Sequence, residues 1–88
     1  MDDINHQLVL LNDDVNSFDD VIDSLMEILG HNIFQAEQCA TIIHNSGRCV
    51  IKSGTKTELD FYKKLLTKQE LNITIEEPPS WNISLTYY

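Results

Sequence analysis

The chain has 88 residues, enough for one domain near the lower size limit of a self-sufficient core. Its 42% hydrophobic and 23% charged residues describe an ordinary globular balance and argue against disorder. Fourteen acids against six bases give a formal charge of −8, which repels phosphate backbones and disfavours nucleic acid as a partner. Lys63, Lys64 and Lys68 are the closest approach to a basic cluster, and on a helix they read as a solvated face.

The longest purely apolar run, Leu8 to Leu11, is far too short to cross a membrane. The opening Met1-Asp2-Asp3 is unlike a signal peptide, so the expected compartment is the cytosol, with no membrane partner. Cys39 and Cys49 fit no metal or redox spacing, and both lie in apolar-periodic stretches, so they read as small buried hydrophobes. No cofactor and no metal are expected.

In chain order, His6 to Leu11 predicts a short buried strand, because four consecutive apolar residues stand between polar flanks. Asn12-Asp13-Asp14 breaks it, since short polar side chains compete for the backbone and favour turns. Ser17 with Asp20 three residues on is a helix-capping signature. Phe18, Val21, Ile22, Leu25 and Leu29 then repeat at helical spacing up to Gly30. Asn32 and Gln35 open a second helix, whose stripe of Ala36, Cys39, Ala40 and Ile43 is mostly small. Asn45-Ser46-Gly47 ends it.

Cys49 and Ile51 alternate with polar residues as a second strand. Thr57 to Gln69 predicts a third helix, with Leu59, Tyr62, Leu65 and Leu66 facing inward. Leu71, Ile73 and Ile75 mark a final half-buried strand. The expected fold class is therefore α+β: strand, helix, helix, strand, helix, strand, with a three-stranded antiparallel sheet and helices on one face. Residues 1–6 read as a short leader, 7–77 as the core, and 78–88 as a tail initiated by Pro78-Pro79. In the tail Trp81, Ile83, Leu85 and Tyr87 recur at period two, as in a fourth, edge strand or an apolar tail that docks elsewhere.

Two features offer chemistry. Asn12-Asp13-Asp14 concentrates acceptors where a buried strand surfaces, which suits acid/base work, a hard cation or an ammonium group. Taken alone it reads as an Asx-type turn, and Val15 with no following acid argues against a calcium loop. His44 stands near a helix C-terminus, where a histidine interacts favourably with the helix dipole. Ser17, His44 and Asp14 contain the residue types of a hydrolytic triad, but no nucleophile elbow or oxyanion-type loop accompanies them. No catalytic residue is assigned.

Leu10-Leu11-Asn12-Asp13-Asp14, then Phe18 and Val21, then Gln38 and His44 followed by Gly47, together resemble the ClpS family of N-end-rule adaptors for bacterial Clp proteases. The likeness runs from about Leu8 to Glu76, with equal spacing from Asn12 to His44. The run from Asn12 to Asp19, and Ala36-Glu37-Gln38-Cys39, resemble short members of the Bacteroidetes type. The resemblance implies a non-enzymatic adaptor for N-terminal segments of substrate proteins. Asn12, Asp13, Asp14 and His44 would bind the free α-amine.

Leu10, Asn16, Phe18, Val21, Ala40, Ile43 and Leu71 would line a pocket for a Leu, Phe, Tyr or Trp side chain. Phe18 and Ala40 stand where many members carry methionine. The implied second partner is the N-terminal domain of a Clp-type AAA+ unfoldase, ClpA- or ClpC-like. The alternative is a non-catalytic interaction module of the same fold without N-degron binding.

Overall fold

The computed structural model describes residues 5–13 and 15–77. Over that span the elements are β1 (His6–Leu11), α1 (Phe18–Leu29), α2 (Ile33–Ser46), β2 (Arg48–Gly54), α3 (Lys56–Lys68) and β3 (Asn72–Glu76). This is the expected order. Trp81, Ile83, Leu85 and Tyr87, with the edge strand or docking tail they suggest, lie outside the described residues, as do residues 1–4 and Asp14.

The helices begin where a side chain can take up an orphan backbone N–H. Ser17 Oγ accepts from Asp20 N at 3.1 Å, and the Asp20 carboxylate accepts from Ser17 N in return. Asn32 and Gln35 repeat this reciprocal box at α2. At α3 the Thr55 hydroxyl accepts from Glu58 N at 3.2 Å, so the helix starts a residue earlier than its apolar pattern predicts. At the other end Leu71 N donates to Leu66 O at 3.3 Å and so helps to close the helix. The final strand accordingly begins at Asn72, not at Leu71.

The sheet order is β2-β1-β3, with β1 antiparallel to both neighbours. A central position explains why Leu8, Val9 and Leu10 are all buried. Leu10 pairs with Cys49 on one side and Ile73 on the other. A bulge shifts the register so that Leu8 pairs with Lys52 and Val9 with Val50, leaving Ile51 as the extra residue. Beyond the bulge the Lys52 ammonium lies 5.1 Å from the centre of the Tyr62 ring on α3.

One apolar core lies between the sheet and the helices. Leu8, Leu10, Ile51 and Ile73 meet Ile22 and Leu25 of α1, the small stripe of α2, and Leu59 and Leu66 of α3. All four members of the α2 stripe are buried, as their spacing predicts. Phe18 is the exception on α1: at the first helical position it is 47% exposed. No helix among the described residues is long and apolar enough to cross a membrane.

Candidate functional site

β1 ends at Leu11, and the next residue is tied at once to the far end of α2. Asn12 N donates to Gly47 O at 2.9 Å, while Gly47 N donates to Ile43 O at 2.8 Å. Gly47 adopts a left-handed conformation (φ 90°) that closes the helix. His44, exposed on the last turn of α2, is thereby brought to the end of the molecule where Asn12 leaves the sheet.

Asp13 builds the turn that follows. Its Oδ1 accepts from Val15 N at 2.8 Å and Asn16 N at 2.9 Å, and its Oδ2 from the Asn16 amide at 3.4 Å. Burial opposes ionisation of this carboxyl. The hydrogen bonds, led by that from Asn16 N, outweigh it and hold the group below the usual carboxylate range. The turn expected from the tripeptide is present, then, and it leaves a negative charge beside Asn12. Asp14 falls outside the described residues.

Asn16 adds a tie that nothing in its local sequence announces. Its amide donates to Glu70 O at 2.8 Å, joining the loop to the segment that leads into β3. Glu70 has φ 66°, a left-handed conformation that costs a non-glycine residue roughly 1–2 kcal/mol. With neither Gly nor Asn at position 70, sequence reading lacks its usual signal for such a turn. Leu71 follows, 4% exposed in the core. The loop between β1 and α1 is thus held at Gly47, at Glu70 and at the α1 cap.

The seven candidate pocket residues differ in access. Leu10, Ala40, Ile43 and Leu71 are buried members of the apolar core, and Val21 packs against it half-buried. Asn16 is half-buried and hydrogen-bonded, whereas Phe18 stands out toward solvent. The fold therefore ties the Asn12 backbone to the end of the helix that carries His44, with the Asp13 turn following directly in the chain.

Other chemistry finds less support. Ser17 Oγ accepts from Asp20 N in capping α1. Among the described residues, no three His, Cys, Asp or Glu side chains gather as a metal site. An open hollow of about 500 Å³ lies on α3, lined by Asp60, Lys63, Lys64, Thr67 and Lys68. Its three lysines make it unsuited to an ammonium ligand, and it shares no residue with the candidate site.

The chain is similar to the solved structure of Agrobacterium tumefaciens ClpS2 bound to L-phenylalaninamide. The TM-score is 0.78 at 20% sequence identity, covering 85% of this chain and 98% of that one. At that identity the likeness speaks for the fold. No curated protein matches the chain. A family model described as ATP-dependent Clp protease adaptor protein ClpS matches residues 2–74. That match spans most of the sequence, and the chain belongs to the ClpS family of Clp protease adaptors.

Proposed function

We propose that this protein is a cytoplasmic, non-catalytic adaptor that captures N-degrons. It holds the free α-amine and the large hydrophobic side chain of a substrate's first residue and passes the substrate to the N-terminal domain of a Clp-type AAA+ unfoldase. The observation that carries the reading is the hydrogen bond from Asn12 N to Gly47 O, which ties the acceptor loop to the helix end bearing His44. An α-ammonium has three donors; the Asn12 side-chain Oδ1, a carboxylate of the Asp13/Asp14 pair and a ring nitrogen of His44 are three acceptors. Asp13 already receives its own loop's N–H groups. Its part is therefore to order the loop and supply negative charge.

Leu10, Asn16, Phe18, Val21, Ala40, Ile43 and Leu71 are the proposed lining for the side chain. The L-phenylalaninamide held by the Agrobacterium protein carries both required groups, a free α-amine and an aromatic side chain. A charge-assisted hydrogen bond contributes roughly 1.5–3 kcal/mol, and burial of a Leu or Phe side chain a similar ~1.5–3 kcal/mol. A micromolar complex needs about 8 kcal/mol net, so amine and side chain must both be engaged.

The test is a titration with short peptides beginning with Leu, Phe, Tyr or Trp, each with a free or an acetylated N-terminus. The free forms bind and the acetylated forms do not, because acetylation removes the charge and two donors while leaving the acceptors unpaired. Equal affinity for both forms would sink the reading and leave the interaction-module alternative standing.

A further inference from the structure

The loop between β1 and α1 is fixed at its two ends, by Asn12 N on Gly47 O and by the Ser17 cap of α1. Between those points the Asn16 side chain ties it to the segment that leads into β3. The Asn16 amide nitrogen donates to Glu70 O at 2.8 Å and, at a longer 3.4 Å, to Asp13 Oδ2. An amide nitrogen carries two hydrogens, so both are used and the side chain bridges Asp13 to Glu70.

The way α3 ends makes Glu70 available for this bond. Glu70 N donates to Thr67 O at 2.8 Å, and the next N–H, of Leu71, donates to Leu66 O at 3.3 Å. Between them Glu70 takes a left-handed conformation (φ 66°), in a position where glycine is usual. Closing the helix this way engages the Glu70 N–H and leaves its carbonyl for another partner. Asn16 is that partner. Its amide thus joins the carboxylate that orders the acceptor loop to the turn that carries Leu71 into the core.

We propose that Asn16 is a positioning residue: its amide clamps the loop bearing Asn12 and Asp13 onto the turn between α3 and β3, and so holds the amine acceptors in place for a substrate's first residue. This role rests on the N-degron reading and goes beyond lining the pocket. Substrate binds the clamped loop, so the apparent affinity scales with the fraction of molecules in which the clamp is closed. A hydrogen bond of this kind shifts such an equilibrium by roughly twofold to tenfold. Asparagine suits the task because it offers two donors in one planar group. Alanine offers none, and aspartate would turn acceptors toward a carboxylate and a carbonyl. The clamped loop serves the amine, which all these peptides share, so its loss does not discriminate among their side chains.

The experiment measures the affinity of free-amine peptides beginning with Leu and with Trp for the wild-type protein, Asn16→Ala and Asn16→Asp, with melting temperatures alongside. Asn16→Ala weakens both peptides by roughly twofold to tenfold and keeps the wild-type Trp-to-Leu ratio. Asn16→Asp is nearly isosteric and adds a negative charge to a loop that receives a cation, yet it weakens both at least as much. Glu70→Val disfavours the left-handed conformation, displaces the accepting carbonyl and lowers affinity as well. Its loss and that of Asn16→Ala do not add in the double variant, because both break one bond. Should Glu70→Val fail to fold, Asn16→Asp decides the matter alone.

Unchanged or tighter binding by Asn16→Asp would overturn the proposal. So would an altered Trp-to-Leu ratio in Asn16→Ala, or additive losses in the double variant, since either means that Asn16 acts on the ligand directly. If the wild-type protein binds neither peptide, the N-degron reading fails and the clamp's role with it. Wild-type binding matched by Asn16→Ala sinks the clamp alone.

Discussion

α1 and α2 share the same punctuation: a reciprocal capping box at Ser17 with Asp20 and at Asn32 with Gln35, and a left-handed glycine, Gly30 or Gly47, at the end. They differ in what they bury. α1 inserts the branched chains of Ile22 and Leu25, whereas α2 turns inward Ala36, Cys39 and Ala40 with only Ile43 as a large residue. α2 also leaves Ile33, Phe34 and Ile42 substantially exposed, with Phe34 at 76%. Equal caps specify where two helices begin and end. The volume of the inward side chains decides how closely each approaches its neighbours.

Leu25→Ala should show the largest effect. This side chain is fully buried, and its removal should cost roughly 2–5 kcal/mol in a urea melt. A cost below ~1 kcal/mol would mean that α1 is not anchored as its burial implies. Ala40→Met tests the opposite property of α2, since adding volume to a residue only 4% exposed should cost roughly 1–3 kcal/mol. On the proposed function the same change disfavours peptides beginning with Trp or Tyr relative to Leu. A Trp-to-Leu affinity ratio equal to wild type would take Ala40 out of the pocket.

The shared features should respond alike. Ser17→Ala and Asn32→Ala each remove one side-chain acceptor from the helix start, and each should cost about 1 kcal/mol. Unequal costs, differing by more than that amount in paired melts, would show that one cap also has a tertiary role. The smallest effect is expected at Asp13. Its carboxyl is held below the ordinary value in the folded protein, so between the two values the unfolded chain binds more protons. The resulting stability is fully present above the unfolded value near pH 3.8 and is lost as pH falls through the folded one. Asp13→Asn should therefore flatten the acid limb of the stability curve; an unchanged limb would deny the turn its charge-assisted bonds.

Much of the candidate site was legible because its parts are local. The Asx-type turn at Asp13 and both capping boxes close within three residues. Phe18 shares the helical spacing of α1 yet stands exposed, and periodicity cannot tell a first-turn residue from an interior one. Thr55 caps α3 from outside the helical pattern, which begins only at Thr57. The Asn16 bond to Glu70 O had no signal at all.

By itself the sequence determined the elements, their order and their buried stripes, because capping, turn chemistry and apolar periodicity act over a few neighbouring residues. The tertiary structure alone decided that β1 lies between β2 and β3, that the ladder bulges between Leu8 and Val9, and that Asn12 meets Gly47. Those outcomes depend on which distant surfaces can be buried together once loops are closed. That choice is made by the packing of the whole core, and no short stretch of chain carries it.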